Sequence, residues 1–235
     1  MTDMSPSPSC AEELSQLAAE VARMGGLAET QVVDAVEGLI RRDAVQASAL
    51  IERDLRLDAL QIEIEHRAIA LIGRYGPGGE DLRRAVSAMK LAGNLERCGD
   101  LARNIAKRSL ILSPTEPKGI MRALERMGRI AAGRLSDVVD AYVGGEVEQA
   151  LSIWRRDEEI DDHYESLFAE LLDLMRRDPA SVGDGAHLLF IAKNLERIGD
   201  HATNIAEVVY FEATGLDLTV ERPKWSLPGA VVADS

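Results

Sequence analysis

Leu188, Ile191, Leu195, Ile198, Ala202, Ile205 and Val209 follow one another at intervals of three or four residues. At about 100° per residue that spacing gathers them into one apolar stripe on an α-helix, with polar residues filling the other faces. The same period continues along most of the chain, interrupted by stretches rich in Gly and Pro. It predicts six long helices: about Ala11 to Arg42, Ala44 to Arg74, Glu80 to Leu112, Lys118 to Val143, Glu146 to Arg177 and Pro179 to Ala213. GRYGPGG (73–79), SPTEP (113–117) and Gly144-Gly145 mark turns, because proline and glycine disfavour helix interiors. Asp178 before Pro179 reads as an N-cap followed by a first-turn proline. The apolar pattern carries the first helix through Gly25 and Gly26 despite their low propensity. Residues 1–10 read as a flexible leader. Residues 215–235 read as an irregular tail, in which Trp225 could dock into a groove.

The pattern repeats. NLERCGDLARNIA (94–106) returns as NLERIGDHATNIA (194–206), with ten of thirteen positions identical at a shift of 100. Upstream, Met24 to Ile72 lies over Met127 to Met175 at a shift of 103, pairing Asp34 with Asp137, Arg53 with Arg156, Asp54 with Asp157 and Asp58 with Asp161. The three-residue difference is absorbed by the longer GRYGPGG loop. The chain is therefore a tandem duplication of a three-helix unit, residues 11–112 and 118–214. The expected fold is all-α: two tandem three-helix bundles in an elongated molecule.

Composition sharpens this. Aromatic residues make up only 4% of the chain, consistent with helices rather than a sandwich or barrel. The formal net charge is −13, so phosphate backbones and anionic lipid surfaces would repel the chain, and neither nucleic acid nor direct membrane insertion is expected. MTDMSPSPSC lacks the basic start and apolar stretch of a secretory signal, and no apolar run approaches the roughly 18 residues of a membrane span. A soluble cytoplasmic protein is expected. Of two cysteines, Cys98 stands where the second copy has Ile198, an apolar core position, and reads as a small buried hydrophobe.

What a packing constraint does not explain is that the duplicated motif keeps its acids. Glu96 and Asp100, like Glu196 and Asp200, are four residues apart and neighbours on one helix face. In the second copy they sit roughly 100° and 140° around the wheel from Leu195, beside the seam. The second helix of each copy carries a further pair, Asp54/Asp58 and Asp157/Asp161. If those helices pack together, four carboxylates meet in each copy. Like charges so placed repel, and a multivalent cation would offset the repulsion. An all-oxygen donor set suits a hard ion such as iron(III), manganese, magnesium or calcium. The alternative is a solvated acidic face with Arg97 and Arg197 as partners.

Other chemistry is sparse. His66, His163, His187 and His201 do not correspond between copies and read as surface or satisfied residues. Glu63-x-x-His66 is the single E-x-x-H, whereas a ferritin-like di-iron centre needs two, so a metalloenzyme or iron store is disfavoured. There is no phosphate-cradling Gly loop, no G-x-S-x-G and no Cys/His pairing fit for a nucleophile. A plain scaffold remains a third reading.

The doubled NLERxGD, with MGGLAE (24–29) and the D-x-x-x-D pairs, closely resembles the paired signatures of the PhoU family over about residues 11–214. The resemblance implies a non-enzymatic negative regulator of the phosphate-starvation response. Such a protein links the ATPase subunit of a phosphate ABC transporter to a sensor histidine kinase and modulates uptake, as a homodimer. It also implies metal clusters, in some members, on the motifs matching Glu96, Asp100, Glu196 and Asp200, with Asp54, Asp58, Asp157 and Asp161 as companions. The ion is open among iron, manganese, magnesium, zinc and calcium. Cys98 in place of an aliphatic residue, and the tail after 214, are the departures.

Overall fold

Ser9 opens the first helix with a capping box: its hydroxyl accepts from the Glu12 amide, and the Glu12 carboxylate accepts from the Ser9 amide at 2.7 Å. From there helix α1 runs Cys10–Arg41, unbroken through Gly25 and Gly26. The structure is a computed structural model and describes residues 9–53, 55–113, 118–156 and 158–218. Residues 1–8 of the expected leader, most of the SPTEP break, and the tail from 219 with Trp225 lie outside the described residues, as do the side chains of Asp54 and Asp157.

The remaining helices are α2 (Ala44–Arg53), α3 (Leu55–Tyr75), α4 (Gly79–Ser109), α5 (Lys118–Gly144), α6 (Val147–Arg155), α7 (Glu158–Arg177) and α8 (Val182–Thr214). Their bounds match the expected helices closely, and α2 with α3, like α6 with α7, covers an expected second helix on either side of residue 54 or 157, which lie outside the described residues. In the second copy α6 ends at Arg155, and the Arg156 carbonyl accepts both from the buried guanidinium of Arg134 on α5 and from the Glu159 amide at 3.4 Å. Asp178 does cap Pro179, accepting from the Ala180 amide at 3.0 Å, although the turn it opens (Pro179–Ser181) is 3-10 before α8 begins. Gly215, at φ 73°, closes α8 in the left-handed conformation that glycine adopts without strain.

Helices α1, α4, α5 and α8 form an inner layer in which α4 meets α8, α1 meets α5, and each copy's first and last helices meet each other. The α4–α8 contact is the most extensive in the molecule. Helix α3 lies against α4 and α1 on one side, and α7 against α8 and α5 on the other. One apolar core passes through both copies, from Leu17 and Met24 through Leu95 and Ile105 to Leu124, Leu195 and Ile205. Burying each such side chain contributes about 1.5–3 kcal/mol, so one continuous core ties the two copies together. Where α1 crosses α5, the duplication meets itself. A Cβ on Gly25 would stand 2.6 Å from Val139, and one on Gly128 would stand 2.5 Å from Val36. These are equivalent pairs at the 103-residue shift, and hydrogen in place of a side chain is what lets the helices approach.

Candidate metal centre

Asp58 lies near the described start of α3, and Asp161 lies in the first turn of α7, where the positive end of the helix dipole favours a carboxylate. Glu96 and Asp100 stand one turn apart in α4, and Glu196 and Asp200 do the same in α8. Packing of α3 on α4 brings Asp58, Glu96 and Asp100 together, and packing of α7 on α8 does so for Asp161, Glu196 and Asp200. In each triad one ligand atom per residue lies within 4.8 Å of the others. Gly199 of the repeated motif shows how this closeness arises. A Cβ there would come within 3.1 Å of Ile160, the neighbour of Asp161, so the glycine admits α7 close enough to deliver its carboxylate. Six of the eight acids singled out in the sequence thus converge. Among the described residues no histidine or cysteine joins either group.

The cations around the triads differ. In the first, Arg97 reaches Glu96 (Nε to Oε2, 3.5 Å) and Asp100 (Nη1 to Oδ2, 3.4 Å), while Arg103 holds Asp100 Oδ1 at 2.6 Å. In the second, Lys193 holds Glu196 Oε1 at 2.6 Å. Glu196 Oε2 is buried and has no hydrogen-bond partner among the described residues. Burial pushes the Glu196 carboxyl above the usual carboxylate range and Asp161 adds to this, against the opposing pull of Lys193 and Arg197. Arg103 and Lys193 escaped the sequence reading, although each stands three residues from an acid, close enough for an ion pair on a helix.

These residues fit a hard cation. Oxygens sharing one ion at about 2.0–2.6 Å lie at most about twice that distance apart, which spans the spacing seen here. A buried carboxylate oxygen without a donor is what such an ion would satisfy. The neighbouring groups argue against nucleophilic chemistry. The Cys98 thiol, fully buried, is pushed up to about 12 by desolvation with Glu96 adding. His201 Nδ1 meets Asn94 Oδ1 at 3.0 Å across the α4–α8 joint. Burial lowers the pKa of His201, and Arg197 and Arg97 lower it further, all of which favour the neutral ring.

Two stretches of the chain, residues 21–109 and 124–209, match the PhoU domain model. The phosphate-specific transport system accessory protein PhoU homolog of Caulobacter vibrioides is 53% identical over 214 residues, covering 91% of this chain and 93% of that protein. The homolog of the same name from Rhizobium meliloti is 44% identical over 214 residues, 91% of this chain and 90% of its own length. The crystal structure of PhoU from Pseudomonas aeruginosa superposes with a TM-score of 0.84 at 30% identity, covering 88% of this chain and all (100%) of that one. That of the phosphate transport system regulatory protein PhoU from Streptococcus pneumoniae gives 0.85 at 29% identity, covering 90% and 100%.

Proposed function

The chain belongs to the PhoU family, and from that membership we propose that it is a negative regulator of the phosphate-starvation response, docking on the ATPase subunit of a phosphate ABC transporter and on a sensor histidine kinase. Its relatives, named as accessory proteins of phosphate-specific transport, support the transporter as one partner. Among the described residues no helix is long and apolar enough to cross a membrane, which suits a protein that reaches the transporter from the cytoplasm. Homodimerisation belongs to the same proposal.

The observation that carries the metal-dependent part is the pair of acid triads, each joining two helices of one copy. Asp58, Glu96 and Asp100 would hold one cation, and Asp161, Glu196 and Asp200 another, with a hard ion such as iron(III), manganese, magnesium or calcium favoured by the all-oxygen set. When bound, the cation supplies positive charge that offsets carboxylate repulsion between α3 and α4 and between α7 and α8. The residues do the rest: they tie the helix carrying each aspartate to its neighbour and keep the outer face in one shape. Partner affinity then follows the difference in binding between the tied and untied forms. No catalytic step is involved.

The test is complementation. A strain lacking this chain should express a phosphate-starvation reporter in phosphate-replete medium, and the wild-type chain should silence it. Glu196→Ala with Asp200→Ala should remove about half of the protein-bound metal, leave the helical circular dichroism unchanged and weaken silencing. Full metal content in that variant would sink the metal-centre reading. Normal repression in the deletion strain would sink the regulatory one.

A further inference from the structure

On the far side of α7 from the acid triad, a groove of about 290 Å³ runs between α5 and α7. Arg122 and Arg126 line it from α5, and His163, Ser166 and Glu170 line it from α7. His163 is two residues from Asp161, hence about 200° around the helix, so the two side chains serve opposite faces. The sequence reading of His163 as a surface or satisfied residue needs correction, because its Nε2 is buried and has no hydrogen-bond partner among the described residues. An orphaned buried ring nitrogen points to a missing partner.

The first copy shows what normally occupies this place. At the 103-residue shift, Arg122, Ala123, Arg126, His163 and Glu170 correspond to Ala19, Glu20, Arg23, Leu60 and Arg67. There Arg67 crosses the groove to pair with Glu20, and its Nη2 donates to Gln16 Oε1 at 2.9 Å, so the space is filled from within. In the second copy the filling pair is gone: Ala123 has no carboxylate to offer and Glu170 no guanidinium. What stands there instead is Arg122 in place of Ala19 and an imidazole in place of the apolar Leu60. Across the equivalent positions the guanidinium count stays at two, Arg23 and Arg67 against Arg122 and Arg126, while the carboxylates fall from two, Glu20 and Glu63, to one, Glu170.

We propose that this groove is an oxyanion site that takes a phosphate-type tetrahedral group, either free orthophosphate or a phosphoryl group carried on a larger molecule. Arg122 and Arg126 supply guanidinium donors, which suit phosphate oxygens through charge-assisted hydrogen bonds, and His163 donates from Nε2–H. The Ser166 hydroxyl stands beside them. Glu170 is the opposing charge. Its Oε1 lies 3.4 Å from where a Cβ on Gly119 would be. Two guanidinium groups against one carboxylate leave the groove basic in a chain of net charge −13. This site goes beyond the regulatory reading and uses none of the acid-triad residues.

The experiment is calorimetric titration of the full chain with orthophosphate at low ionic strength, with a chelator present so that no cation can bridge phosphate to the acid triads. Wild type should bind. Arg122→Ala with Arg126→Ala should weaken binding at least tenfold, and Glu170→Gln should strengthen it severalfold. Ala123→Glu restores the first copy's carboxylate without removing any basic group and should abolish binding. A parallel titration with phenyl phosphate separates the sources: tighter binding assigns the site to a phosphoryl group on a larger molecule, and weaker binding assigns it to the free ion. Absence of binding by both probes at millimolar concentration, or binding that survives both the double arginine variant and Ala123→Glu, would overturn the proposal.

Discussion

The two copies keep the same acids and surround them differently. In the first triad Asp100 is held by Arg103 at 2.6 Å. The position equivalent to Arg103 in the second copy is Thr203, fully buried, whose hydroxyl donates to the Gly199 carbonyl of its own helix at 3.2 Å. Conversely, Lys193 stands where the first copy has Gly93, and it holds one oxygen of Glu196 while the other oxygen stays buried without a donor. The joint between α1 and α5 is symmetric in its glycines but not in its valines, since Val36 is buried and Val139 only partly so. The ends of the inner layer differ more. Glu212 and Tyr142 in the second copy replace Leu112 and the buried Leu39, placing a half-buried carboxyl where the first copy has hydrocarbon. After duplication the acid triads were retained as a unit while their counter-charges, grooves and core ends diverged. The triads are what the duplication left alike, and the differences around them are where the two halves part.

The widest predicted contrast is chemical. With its thiol pushed up to about 12, roughly one Cys98 in ten thousand is ionised at pH 8, whereas Cys10 is only partly buried. A disulfide reagent should label Cys10 quickly and Cys98 at least about a thousandfold more slowly until the protein is denatured. Comparable rates would mean that the first copy's seam is far looser than the second's, where Ile198 fills the same place. Next in size is the crossing of α1 and α5. Gly128→Val drives methyl groups into the buried, β-branched Val36 and should cost about 2–3 kcal/mol, read as a fall in the denaturation midpoint. Gly25→Val meets the more yielding Val139 and should cost about 1–2 kcal/mol. Equal costs would show that the joint responds as one rigid unit.

Glu212 gives a pH-dependent contrast. Burial pushes its carboxyl from 4.5 up to about 7, with Arg84 and Ser87 opposing and Glu80 adding. A raised folded-state value means that the native state holds the proton more tightly. The contribution of Glu212 to stability is therefore most favourable below about 4.5, falls as pH rises through the window from 4.5 to about 7, and stays low above it. Glu212→Gln removes that loss. Allowing for the screening of a partly exposed group, the variant should exceed wild type by about 1–2 kcal/mol at pH 8 and show little difference near pH 4 in urea denaturation. A gain equal at both pH values would assign it to packing. The smallest effect expected is at the first triad. Arg103→Thr copies the second copy's residue and frees Asp100 from its closest cation, so manganese should bind the first triad about three- to tenfold more tightly. An unchanged affinity would show that Arg103 already yields to the ion without cost.

Much of this architecture could be read before any coordinates. Helix spans follow from local spacing, and the seam through Leu188, Leu195 and Ile205 lies fully buried where it was expected. The acids stood out because Glu96/Asp100 and Glu196/Asp200 survived a duplication that changed Arg103 to Thr203 and Leu101 to His201 beside them. Other features left no such mark. Nothing in the spacing of Asn94 and His201 says that they meet across the α4–α8 joint. His163 looked like an isolated surface residue because its orphaned nitrogen faces α5, a helix about forty residues earlier. Glu212 looked like an ordinary terminal acid until the inner layer closed over it.

By itself, the order of residues decided the helices, the duplication, the apolar stripes and which carboxylates share a helix face, because each depends on neighbours within a few turns. The approach of Asp58 and Asp161 to their triads, the single core joining both copies and the emptied groove under Ala123 were decided by packing alone. They depend on how closely one helix can lie against another, and that distance is set by side chains a hundred residues apart, such as Gly25 and Val139, whose contact exists only after the chain has folded.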